Sequence, residues 1–152
     1  MKTPELLYGH DEDVARWVGQ KIDVPDFGPL AAIGVISPDA AKVLAGMVFH
    51  SYREEYSTIQ ISMASVSKLW AHRMVIAKLL AYPFRQLKVN MAYTGTPQWN
   101  KRALRFNEHV GFGSPVVLEH WFGPNRAGVH RHMTCLHFEK HYGGLLDGQE
   151  GT

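Results

Sequence analysis

The segment from Trp99 to Phe112 constrains this chain more than any other stretch of its length. Trp99, Ala103, Phe106 and Val110 recur at spacings of four, three and four residues, so they share one face of a helix. Gly111 then stands where a left-handed C-cap residue is wanted, because glycine alone enters that conformation without a Cβ penalty. The segment reads as one amphipathic helix with a stop signal.

The rest of the chain divides into similar units. Asp11-Glu12-Asp13 ahead of Val14, Trp17 and Val18 marks an acidic N-cap region and an apolar stripe, a helix expected to reach about Ile22. Pro25, Gly28 and Pro29 break it. Three strands are expected over Leu30–Ile36, Lys42–His50 and Ser57–Ala64, with Ser37-Pro38-Asp39 as the first turn. In the third, Ile59, Ile61 and Met63 alternate with Gln60 and Ser62, the clearest period-two signal in the chain. A helix from Lys68 to Tyr82 follows, with Ser67 as its expected N-cap and Pro83 ending or kinking it. Leu87–Tyr93 reads as a strand, and Val116–Phe122 and Val129–Phe138 as two more around the loop Gly123-Pro124-Asn125-Arg126. This order predicts an α+β domain, a mixed and mostly antiparallel sheet flanked by helices, over residues 1–142, with a loose glycine-rich tail over 143–152.

Composition narrows the function classes. The 152 residues suffice for one domain with a real core, and no apolar run approaches the roughly 20 residues of a membrane span. The N-terminus lacks the apolar core of a signal peptide, so a cytoplasmic protein is expected. Cys135 is the single cysteine, which excludes an intrachain disulfide; within an apolar strand pattern it reads as a small buried hydrophobe. The net charge of +2 is too small for general nucleic-acid binding, but it is unevenly spread: residues 1–66 carry −4 and residues 67–152 carry +6. A basic second half suits either a phosphate-bearing ligand or a merely solvated surface.

The residues Asn100, Ala103, Gly111 and Phe112 resemble the last helix of the GNAT superfamily of acyl-CoA-dependent N-acyltransferases, whose pattern there is Asn, a small residue three on, often Tyr seven on, then Gly-Phe. Asn107 stands where the tyrosine would be. The element order fits the same family from about Asp11 to Phe138. A narrower likeness, in Trp70, Arg73 and Tyr82-Pro83-Phe84, is to acetyltransferase-like proteins of phages and prophages. The resemblance implies acetyl-CoA as acyl donor and an amine as acceptor. It implies that Ser57–Ala64 pairs with the pantetheine arm, through Ile61, Ser62 and Met63, and that Ser65, Ser67 and Lys68 meet the pyrophosphate at the following helix N-terminus. Asn100 would contact the arm or cap its own helix, and Asn107 can donate a hydrogen bond in place of the tyrosine. The family's glycine-rich phosphate loop is absent: the text at that junction is Ser65-Val-Ser67-Lys68-Leu-Trp70-Ala71-His72-Arg73.

Acyl transfer to an amine also needs a group to take the proton. Glu54, Tyr93 and His120 are the candidates. For each of them a solvated or structural role is the favoured reading. Among nine histidines, His130 and His132 share a strand face, but no further ligand is spaced to complete a zinc site with them. Three function classes stay open: an N-acyltransferase of unknown acceptor, a GNAT-fold binding module without catalysis such as a phage inhibitor of a host protein, and a GNAT-like modifier of DNA bases. A homodimer through the late strands is compatible with all three.

Overall fold

The apolar runs of the first half pair in sequence order. β1 (Glu5–Leu7), β2 (Leu30–Ile36), β3 (Val43–Arg53) and β4 (Thr58–Ser65) form an antiparallel meander. β5 (Met91–Pro97) joins β4 in the only parallel pairing among the described residues. β7 (Gly128–Thr134) lies antiparallel to β5, with β6 (Val116–Leu118) on the edge. The sheet order is therefore β1-β2-β3-β4-β5-β7-β6 in the computed structural model, which describes residues 3–148. This is the mixed, mostly antiparallel sheet with flanking helices that the sequence predicts.

Helices cover the two faces unequally. α1 (Asp11–Ile22) lies over β2, β3 and β4, packing Val14, Ala15 and Val18 on Ala32 and Val48. α2 (Arg73–Ala81) and α3 (Lys101–Val110) lie on the opposite face, where Val75, Ile76, Leu79 and Leu80 meet Phe49, Ile59, Ile61 and Ala92. This second cluster is the main core.

Several boundaries differ from the sequence reading, each for a local reason. The helix expected from Lys68 is split: Lys68–Trp70 is one 3-10 turn, and α2 begins at Arg73 with His72, not Ser67, as N-cap. The buried Trp70 ring packs on Phe106 with centroids 4.9 Å apart, and the His72 Nδ1 accepts the Met74 N–H at 3.1 Å. Past Ala81 the chain continues as a π-helical turn, Tyr82–Gln86, with Pro83 inside it. The strand expected at Leu87 starts at Met91. The last strand stops at Thr134, which caps α4 (Cys135–Phe138), so Cys135 is helical. Trp99 lies before α3 and is 53% exposed; its ring turns to Phe122 and Arg126 rather than the core stripe. The acids at Asp11 do not cap α1; Asp11 Oδ2 accepts from the Ala32 N–H at 3.1 Å and so ties the helix to β2.

The tail expected from Gly143 is attached at least to Asp147. A π-turn over Glu139–Gly143 and α5 (Gly144–Leu146) place Leu145 and Leu146 against the core. Arg85 holds Glu139 at 2.8 Å and Asp147 at 2.7 Å. Residues 149–152 of the expected tail lie outside the described residues. Among the described residues, no helix is long and apolar enough to cross a membrane.

Candidate active site

β4 and β5 stay together for three rungs and then part. The pairs are Thr58↔Met91, Ile59↔Ala92 and Gln60↔Tyr93, while β4 remains on β3 as far as Ser65↔Ala45 and β5 remains on β7 as far as Pro97↔Gly128. A gap therefore opens through the middle of the sheet beyond Gln60 and Tyr93.

Hydrogen-bond phase shows what faces the gap. The Val66 N–H donates to the Leu44 carbonyl at 2.9 Å, so Ser62 and Ala64 turn their backbone groups to β3, and Met63 and Ser65 turn theirs toward β5. On the other side, Gln98 N–H to Ala127 O (3.0 Å) and Cys135 N–H to Asn90 O (2.8 Å) give Thr94 and Thr96 to β7 and leave Gly95 facing β4. Met63 and Gly95 thus present amide and carbonyl groups to the gap without a strand partner. Such an edge can take up an amide-bearing chain.

α3 closes one side of this gap. Asn100 caps it by accepting the Ala103 N–H at 3.2 Å, and Gly111 ends it at φ 113°, a conformation glycine enters freely. Asn107 is 2% exposed and donates through Nδ2 to Thr96 Oγ1 at 3.0 Å. Its Oδ1 and the Thr94 Oγ1 are buried without a hydrogen-bond partner. Two orphaned polar atoms beside an unpaired strand edge fit a polar ligand in the gap. At the upper end, Lys68 is exposed on the turn before α2, and Trp70 joins that turn to Phe106 of α3.

The sequence-predicted residues separate accordingly. Ile61, Met63 and Ser65 line the β4 edge, whereas Ser62 is turned away: its backbone belongs to β3, and its Oγ lies 2.8 Å from His50 Nε2. Ser67 and Lys68 stand at the junction with α2, though neither caps it. Asn100 is engaged as a cap. Tyr93 is on the last common rung, with its ring stacked on His130 at 5.5 Å; burial raises its pKa, with nearby Arg53 opposing. Glu54 is an exposed residue of the β3–β4 turn, on the paired side of the parting rather than in it. His120 lies beyond the end of β6, not on a strand, and its Nδ1 accepts the Asn125 N–H at 3.0 Å. It holds the β6–β7 loop.

Nothing in the local sequence singles out His50, because its partner Ser62 stands twelve residues away on the next strand. The fold buries it on β3 between Phe27, with ring centroids 5.0 Å apart, and Ser62 of the neighbouring strand. Burial lowers its pKa to about 4, so it is a neutral imidazole at pH 7 and the partner of the Ser62 hydroxyl. Two clefts lie elsewhere, one of about 860 Å³ between α1 and the 23–30 loop and one of about 460 Å³ beside Tyr8 and Lys78.

No protein-family model and no curated protein sequence matches the chain. Solved structures do. The spermidine/spermine N-acetyltransferase SpeG of Vibrio cholerae superposes with a TM-score of 0.68 at 12% identity, over 91% of this chain and 96% of its own. A chimera of that enzyme with hSSAT gives 0.68 at 11%, over 88% and 98%. A candidate acetyltransferase of T. thermophilus gives 0.64 at 14%, over 78% and 65%. At such identities the likeness concerns architecture, and the chain has the GNAT-like fold.

Proposed function

We propose that this protein is an acyl-CoA-dependent N-acyltransferase, with acetyl-CoA as donor and a primary amine as acceptor. The observation that carries the reading is the unpaired β4 edge at Met63, facing Gly95 across the parted strands. Pantetheine contains two amides, and that edge offers the complementary donors and acceptors. The Met63 N–H is positioned to polarise a thioester carbonyl laid along β4. Ser65, Ser67 and Lys68, ahead of α2, would receive the pyrophosphate in place of a glycine loop. The amine nitrogen would attack the thioester carbon, the C–S bond would break, and the amine proton would pass to water in the gap. Asn107 Oδ1, unpartnered in the fold, would accept an N–H of the pantetheine arm, and the sulfur would leave as thiolate and take its proton from water. That suffices for a thiol whose ordinary pKa is about 8.5. The acetyltransferase fold of the solved neighbours supports the same reading.

The test is calorimetric titration of acetyl-CoA and CoA into the protein and into Met63→Pro. Proline removes the Met63 N–H, which faces the gap, and none that faces β3. Micromolar binding to the parent and at least tenfold weaker binding to a folded Met63→Pro variant are expected. No heat at millimolar ligand would sink the reading. The absence of both a glycine loop and a tyrosine at position 107 would then favour the alternative, a GNAT-fold binding module that does not catalyse.

A further inference from the structure

On the face of the sheet that carries α1, the strands β5 and β7 are covered differently from the others. α1 packs on β2, β3 and β4. Over β5 and β7 lies the loop between β6 and β7, and it brings aromatic rings. Tyr93, His130, Trp121 and Phe122 form a continuous stack, with centroid separations of 5.5, 6.2 and 6.1 Å and interplanar angles of 26°, 25° and 15°. All four side chains are half-buried, so the array is supported from below and open to ligand.

The shelf is built into the backbone. A Cβ at Gly95 would overlap the Trp121 indole, so the indole lies directly on the strand. Gly95 is also the β5 residue whose backbone faces the gap. The rings thus adjoin the place where the strands part, with Tyr93 on the last common rung. A donor held along β4 and a planar group on the shelf would meet through the gap.

Charge narrows the class of acceptor. Residues 91–97 and 120–132, which supply the shelf, contain no Asp or Glu. The one acid of the loop, Glu119, stands exposed at its start, so the rings themselves carry no carboxylate for the second or third ammonium of a polyamine. The charges beside the array are cations: Arg53 acts on Tyr93, and Arg126 of the loop lies over Trp99 at 4.5 Å from its centroid. Burial and the neighbouring His132 lower the His130 pKa, so that ring is a neutral stacking surface at pH 7.

We infer that the shelf of Tyr93, His130, Trp121 and Phe122 is the acceptor subsite, and that the acceptor is a small aromatic amine whose ring stacks there while a short alkyl arm carries the nitrogen to the gap. The inference rests on the acyltransferase reading. The transfer would convert acetyl-CoA and the amine into the N-acetyl amide and CoA: an N–C bond forms, the thioester C–S bond breaks, and one amine proton ends on the thiol or in solvent.

Two readouts separate the subsite from the transferase reading. In the first, turnover of acetyl-CoA is followed by thiol release with phenethylamine, 2-cyclohexylethylamine, butylamine and spermidine. Phenethylamine should exceed its cyclohexyl counterpart about tenfold in kcat/KM, the worth of a favourable ring contact. Trp121→Leu should raise the phenethylamine KM about tenfold and the butylamine KM by clearly less, because butylamine brings no ring to the shelf; Phe122→Leu serves if Trp121→Leu does not fold. In the second, phenethylamine without acetyl-CoA should shift the Trp121 indole N–H resonance. Equal use of the two ring amines, or no indole shift at millimolar phenethylamine, overturns the inference. Acetylation of spermidine alone would remove the shelf as acceptor subsite but keep the transferase. An indole shift in a protein that never binds acetyl-CoA would leave a ring-binding site and overturn its acceptor role.

Discussion

At the scale of single residues, His50 and Asn107 carry the sharpest consequences. His50 is neutral in the fold because burial lowers its pKa to about 4, while in the unfolded chain it takes a proton near 6.5. Its contribution is therefore complete above about pH 6.5 and is lost as pH falls toward 4, because only the unfolded state gains the proton in that window. The loss amounts to about 3 kcal/mol. Urea unfolding at pH 7.5, 5.5 and 4.5 should show it in the parent chain and a clearly smaller pH dependence in His50→Gln. Parallel pH profiles would rule the assignment out. Asn107 is a different case: a buried amide with one half satisfied by Thr96 and the other orphaned. If the donor completes it, Asn107→Ala should weaken acetyl-CoA binding by about three- to tenfold, the worth of one neutral hydrogen bond. An unchanged Kd would assign Asn107 to the fold alone.

Elements explain why the junction after β4 departs from a helix N-terminus. Trp70 would sit in the first turn of a continuous helix; instead the chain makes a 3-10 turn that buries its ring on Phe106, and α2 restarts at Arg73 under a histidine cap. The turn that would face a pyrophosphate is thereby fastened to α3 on the far side of the gap. Trp70→Ala should cost about 3 to 5 kcal/mol, as truncation of a buried large aromatic does. Under conditions where the variant stays folded, acetyl-CoA binding should weaken more than in Val75→Ala, a core truncation inside α2 that leaves the turn intact. Equal losses in the two would mean that the turn plays no part in binding.

For the whole molecule, the parting of β4 from β5 places the gap at the centre, and the C-terminal segment closes the main core from below. That closure depends on Arg85, which binds two carboxylates and the Gly143 carbonyl from the π-turn after α2. Arg85→Ala should lower the melting temperature by a few degrees in dilute buffer and by less in 1 M salt, since the pairs are partly exposed. Hydrogen exchange should quicken over residues 139–147 before any other region. Uniform quickening would show that the segment is not an independent closure.

Much of this architecture is legible in the chain. Period-two alternation at Ile59, Ile61 and Met63, the stripe of Ala103, Phe106 and Val110, and the stop at Gly111 all act within a few residues, so each is written where it operates. They determine the α+β class, the edge strand of the gap and the helix beside it. What the tertiary structure decided arises between residues far apart in sequence. The parting after Gln60 and Tyr93 depends on β5 following β7 rather than β4. Alternation could not say which strand would receive the Ser62 backbone. Glu54 and His120 have the right chemistry but stand in a turn and a loop cap, whereas His50 meets Ser62 only across two strands. The aromatic shelf joins β5, β7 and the loop before β7, and no local period records it. Backbone periodicity is a short-range property of the chain. A site is a long-range meeting of side chains, and only the packed sheet specifies it.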